Sequence, residues 1–164
     1  FVYWNKGDYE KALSKYERSL AIREELGDKR GLGDSLNNIG FVYWNKGDYK
    51  KAEVYLEKSL TLQKEIGIKG LELWTTTYLY LTYKHLGREN DLKEIHALIK
   101  EAENIEFELN LRLYQLLEDS SYLETANNQV QEKAKNLEPD VRAKFLNYPI
   151  PKAIINEWKG ISDD

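Results

Sequence analysis

The sequence predicts an all-α chain, a solenoid of antiparallel helix hairpins, and three observations predict it. Phe1-Val-Tyr-Trp-Asn-Lys-Gly-Asp-Tyr9 recurs unchanged as Phe41-Val-Tyr-Trp-Asn-Lys-Gly-Asp-Tyr49, an offset of 40 residues. Within each copy the apolar residues return three or four positions apart, the period of a helix with one buried face. Gly-Asp pairs interrupt that period where a helix should stop, and all three Pro fall late, at 139, 149 and 151. A repeat of this length denotes stacked supersecondary units, none of which buries its apolar face alone.

Each element follows from the residues in turn. Lys11-Ala12 matches Lys51-Ala52, Ser19-Leu20 matches Ser59-Leu60, and Gly27 matches Gly67, so the repeat outlasts its identical block. Residues 31–46 and 50–66 read as two helices, carrying Leu36, Ile39 and Tyr43, then Ala52, Tyr55, Leu56, Ser59 and Leu60. Between them Gly47 can take the left-handed conformation that ends one helix, and Asp48 can cap the next. Gly27-Asp28 does the same one helix earlier. Gly40 and Ala52 are the small residues expected to let two backbones cross closely. A third copy is weaker: Tyr83 and Gly87 stay in step, while Leu92 replaces the repeated Ala and Glu89 the repeated Tyr, and residues 89–103 complete that hairpin. Residues 105–118 and 121–137 read as a divergent fourth hairpin. Beyond Leu137, Pro139 suits the first turn of a short helix through Phe145, and Pro151 that of another through Trp158. The domains expected are therefore a repeat array over 1–103, a fourth hairpin over 104–137 and C-terminal capping helices with a frayed tail over 138–164. The apolar residues of that last pair could instead dock a partner.

Composition narrows the function. Of the 164 residues 41% are hydrophobic and 32% charged, and the net charge is −4. No run approaches the roughly 18 apolar residues of a spanning helix, and no signal peptide opens the chain, so a cytoplasmic protein without membrane contact is expected. The chain starts at Phe and contains no Met, and is expected to be a piece of a longer one. With no Cys and two His, no disulfide framework, thiolate nucleophile or usual zinc site can form. His85 and His96 lie on different helices, carboxylate pairs such as Glu24-Glu25 and Glu101/Glu103 sit in mixed-charge faces, and no GxSxG, HExxH or P-loop pattern occurs. Neither an enzyme nor a bound cofactor or metal is expected. No segment carries the basic field of a nucleic-acid binder, which argues against an RNA-binding repeat.

The pattern Leu36, Ile39-Gly40, Tyr43, Gly47, Tyr49, Ala52, Leu56, Ser59 resembles the tetratricopeptide repeat, and Tyr3, Gly7, Tyr9, Ala12, Tyr16 and Ser19 supply part of an earlier copy. The period is 40 instead of the usual 34 and the Pro near the end of the second helix is missing. The longer period is similar to the variant in kinesin light chains, spindle-orientation adaptors and many prokaryotic signalling proteins. The resemblance implies a right-handed superhelical solenoid whose first helices line a concave groove. Carried over by position, the groove residues are Trp4 and Asn5; Asn37, Asn38, Phe41, Trp44 and Asn45; and Trp74, Tyr78, Lys84 and His85. Asn38 stands where that variant commonly has an Asn engaging the bound peptide. The function implied is a protein-interaction module that captures a peptide or helix of a partner, in a scaffold or adaptor role. An apolar or aromatic segment is expected before a strongly acidic one, because Lys84 is the sole cation among these positions. The bland alternatives are that Trp4 and Trp44 pack against the neighbouring hairpin and that Asn37-Asn38 merely satisfy loops. The function alternative is a regulatory array packing on another domain of its own longer chain. Self-association through residues 1–26 is also expected, from the apolar face left on the first helix.

Overall fold

The computed structural model describes residues 8–67 and 69–162. Trp4, Asn5 and the rest of the first identical block up to Gly7 lie outside the described residues. Every regular element among the described residues is an α-helix. Residues 8–102 form one compact unit and residues 103–162 a second.

The first unit contains α1 (Asp8–Glu25), α2 (Lys29–Asn45), α3 (Tyr49–Ile66), α4 (Lys69–His85) and α5 (Lys93–Glu101). Each packs on the next, and α2 also meets α4, so consecutive hairpins share their first helices along one face. The expected helices over 31–46 and 50–66 are present within two residues at either end. Gly27, Gly47, Gly67 and Gly87 all take positive φ, between 66° and 76°, which only a residue without Cβ adopts at little cost. Asp28 accepts the Gly31 N–H at 2.9 Å and Asp48 the Lys51 N–H at 3.3 Å, so both caps form as the sequence predicts. The core runs through Leu36, Ile39, Val42, Ala52, Leu56, Leu60, Leu73, Leu79 and Ile95.

One detail sharpens the expectation and one departs from it. The nearest atoms at Gly40 belong to Leu56: a Cβ there would sit 2.7 Å from Leu56 Cγ and 3.3 Å from its backbone nitrogen, while Ala52 is fully buried on the same helix. The second helix of the third hairpin is half the length of its counterparts, because Asn90 and Asp91 turn to the backbone instead of continuing it. Asn90 Nδ2 donates to the Tyr80 carbonyl at 3.3 Å and Asp91 Oδ1 accepts the Lys93 N–H at 3.0 Å, which delays the helix to Lys93.

The second unit contains α6 (Phe107–Leu117), α7 (Ser120–Lys135), α8 (Pro139–Leu146) and α9 (Pro149–Ser162). Leu111, Leu123, Ala126, Val130, Ala134, Phe145 and Ile154 form its core, with Trp158 and Ile155 packed against it. Glu118 ends α6 in the left-handed region at φ 59°, and Asp119 caps α7 by accepting the Ser121 N–H at 2.9 Å. Those bonds hold the Asp119 carboxyl below its ordinary range. Arg142 reaches from α8 to the last carbonyls of α7, donating to Ala134 at 2.8 Å, Leu137 at 3.0 Å and Lys135 at 3.2 Å. The last helix begins at Pro149, two residues before the sequence suggests. Both Pro149 and Pro151 fit its first turn, where no N–H is required within the helix. It also runs on to Ser162, past the Gly160 at which fraying was expected. In this unit α9 lies against α7, α6 and α8.

Candidate functional site

The face shared by α2 and α4 gathers the aromatic residues of the first unit. Phe41 and Trp44 lie one turn apart on α2, and Trp74 and Tyr78 one turn apart on α4. Phe41 meets Tyr78 at 4.4 Å between ring centroids and Trp74 at 6.5 Å, while Trp74 and Tyr78 are nearly parallel at 6.2 Å. Trp44 stands edge-on to Tyr78 at 5.0 Å, to Tyr49 at 6.3 Å and to His85 at 6.1 Å. Tyr49 stacks on His85 at 4.2 Å, the planes within 4°. These tilted and offset arrangements are the ones favoured by aromatic quadrupoles.

Five of the positions carried over by resemblance thus form one cluster: Phe41, Trp44, Trp74, Tyr78 and His85. Tyr78 is its floor, at 3% exposure, and Phe41, Trp44 and Trp74 are half-buried around it. His85, Lys84 and Asn45 are exposed at one end. Asn45 turns its amide to the Phe41 carbonyl at 2.7 Å. Sequence reasoning missed Tyr49, which it had counted only as part of the repeat pattern. Register supplies the signal: Tyr9 donates to the Asn45 carbonyl at 3.4 Å, and Tyr49 meets His85, the residue 40 positions beyond Asn45.

The two adjacent asparagines part company. Asn37 is buried at 5% exposure, and its Oδ1 accepts the Thr75 hydroxyl at 2.9 Å. Gln63 Nε2 donates to that same hydroxyl and to Ser59, each at 3.0 Å, and Ser59 donates to the Gly33 carbonyl at 2.9 Å. Asn37 therefore belongs to an interior polar chain that ties α2, α3 and α4 together. Asn38 is half-buried and, together with Asn37, Tyr16, Ser19, Arg23 and Asp34 among others, lines a cleft of about 490 Å³; it is the more exposed of the two asparagines.

The ionisable groups of α4 outside the cluster are engaged elsewhere. Tyr80 donates to Glu94 at 2.8 Å and Tyr83 to Glu57 at 2.7 Å; burial and the carboxylate acceptors push both phenols well above their ordinary range. Lys64 holds Glu94 below the usual carboxylate range. Arg88 pairs with Glu53 and Lys46 with Glu10, so these cations face other helices. Among the described residues no cluster of three or more His, Asp or Glu could hold a metal, and no helix is long and apolar enough to cross a membrane.

A row of helix hairpins that aligns the first helices of successive units into one aromatic-lined face defines a helical-repeat scaffold. Residues 1–65 match the family model described as tetratricopeptide repeat. Neither a curated protein nor a solved structure gives a match. Repeats of this family generally mediate protein–protein interaction and scaffolding.

Proposed function

We propose that this chain is a protein-interaction module that holds a peptide or helical segment of a partner on the α2–α4 face and acts by binding, without catalysis. The supporting observation is the aromatic cluster: Phe41, Trp44 and Trp74 are half-buried rings braced by Tyr78, and pre-braced aromatic side chains supply most of the affinity at protein interfaces. Asn45 adds an amide near the rim, and the rings favour an apolar or aromatic segment over a strongly acidic one. Peptides selected from a displayed library on the wild-type chain test the reading. Trp74→Ala is expected to weaken the selected peptides by about 30-fold, the hot-spot scale of about 2 kcal/mol, with the circular dichroism spectrum unchanged. Affinities equal to wild type in Trp74→Ala and Phe41→Ala would move the function to another face.

A further inference from the structure

Helix α4 is built from residues that prefer strands. From Leu73 to Tyr83 the chain reads Leu-Trp-Thr-Thr-Thr-Tyr-Leu-Tyr-Leu-Thr-Tyr, with no charge, no Gly and no Pro. Thr, Tyr and Trp are enriched in strands and are weak helix formers, because branched and ring-bearing side chains lose rotamers against the preceding turn. This is the composition of a self-pairing β segment. The comparable uncharged stretch on α2, Ser35–Asn45, is broken by Gly40 and carries Asn37, Asn38 and Asn45, residues depleted from strands.

Tertiary packing supplies what local preference lacks. Leu73 and every residue from Thr75 to Thr82 are buried, so α4 is enclosed all around there and not along one stripe. Its neighbours α2, α3 and α5 all pack on it. Thr77 donates to the Leu73 carbonyl and Thr82 to the Tyr78 carbonyl, each at 2.6 Å, bonds that compete with the helix's own ladder. Thr76 Oγ1 is buried without a hydrogen-bond partner. Tyr80 reaches Glu94 on α5 and Tyr83 reaches Glu57 on α3, so the helix is held from outside.

We propose that Leu73–Tyr83 is a latent β-strand whose partner is the same segment of a second copy, paired antiparallel about Tyr78 once α4 is released from its neighbours. The charges that bound the segment choose the direction. Glu72 and Lys84 lie six residues to either side of Tyr78, so antiparallel pairing centred there sets each Glu72 opposite a Lys84. Parallel in-register pairing would instead stack Glu72 on Glu72 and Lys84 on Lys84, and like charges directly opposite repel. The antiparallel register also lays Trp74, Thr76, Tyr78, Tyr80 and Thr82 on one face, a row of aromatic and Thr cross-strand pairs. In the folded chain burial sequesters the segment, which confines pairing to the opened state. The latent strand operates whether or not the aromatic face binds a partner.

The 164-residue chain is incubated at the urea concentration where hydrogen exchange finds α4 half open, set separately for each variant so that differences in native stability cancel. Expected are β-rich aggregates with the split amide I band of antiparallel strands and a protease-resistant core containing residues 73–83. Glu72→Lys sets Lys opposite Lys84 and should slow their growth about fivefold, the scale of two reversed cross-strand charge pairs. The same change brings the net charge from −4 to −2, which by itself favours association, so slowing reports the pairing. Adding Lys84→Glu restores opposite charges and the wild-type rate. Leu79→Pro should abolish aggregation, and since it acts by opening α4 it reads the same whether or not that variant folds. A chain that stays soluble with α4 half open, a resistant core elsewhere or a parallel amide I signature would overturn the proposal. So would unslowed growth in Glu72→Lys, or a double variant as slow as Glu72→Lys alone.

Discussion

Gly33 and Gly40 lie two turns apart on one face of α2, and the same substitution should act on them with opposite sign. At Gly33 a Cβ would meet Leu62 and Gln63 at 3.8 and 3.9 Å, ordinary contact distances, so Ala adds packing without displacement. Removing the backbone freedom of a helical Gly is worth about 1 kcal/mol, and Gly33→Ala is expected to stabilise by about that amount. At Gly40 the new Cβ would lie 2.7 and 2.8 Å from Leu56 Cγ and Cδ2 and 3.3 Å from the Leu56 backbone nitrogen. Leu56 is fully buried and its branch point, not a free end, is struck, so relief requires α2 and α3 to separate. Overpacking of this kind costs about 3 kcal/mol, and after the helix-propensity gain the net loss is about 2 kcal/mol. Hydrogen-exchange mass spectrometry on the full chain can read both effects in α2 and α3, with α7 in the other unit as internal reference. Shifts of the same sign for both variants, or wild-type protection in Gly40→Ala, would refute the argument that Leu56 sets the hairpin spacing.

Asn37→Ala should destabilise by about 1–2 kcal/mol in urea unfolding, because it removes the buried acceptor of Thr75, whereas Asn38→Ala should stay within about 0.5 kcal/mol of wild type. Arg142→Ala uncovers three carbonyls at the end of α7 and should cost about 1.5 kcal/mol, with Arg142→Lys recovering less than half since one ammonium cannot span all three. Asp119 has its folded pKa lowered by its bonds to Ser121, so its contribution is complete above the unfolded value near 3.8 and disappears as pH falls through the lower folded one. The stability gap between wild type and Asp119→Ala, measured by thermal unfolding, should therefore be full at about pH 7 and closed at about pH 2.

Much of the first unit was legible because its signals are local and repeated. The Gly-Asp pairs at 27–28 and 47–48 announce a left-handed stop followed by a cap, and both occur where the pattern put them. The clustering of Phe41, Trp74 and Tyr78 was legible through the family resemblance, which assigns all three to the groove-lining face of first helices, and α2 and α4 bring those faces side by side. What sequence could not resolve depends on partners chosen across helices. Asn37 and Asn38 are indistinguishable as letters, and only the Thr75 hydroxyl 38 residues away draws one of them into the interior. Asn90 and Asp91 looked like helix but found backbone partners that shortened α5. Pro149 was passed over as a start because Pro151 alone satisfied the expected cap, although a first turn tolerates both.

The four left-handed glycines at 27, 47, 67 and 87 are spaced by 20 residues each, half of the sequence repeat. Every helix of this stretch is thus metered to the same stride, α1 and α3 at 18 residues, α2 and α4 at 17. Such an array behaves as a ruled tape: a hairpin of 40 residues cut or copied between two of these glycines leaves the marks on either side in register. Its aromatic face can accordingly grow or shrink by whole divisions, while a single residue gained inside one helix would throw every later ring off the line.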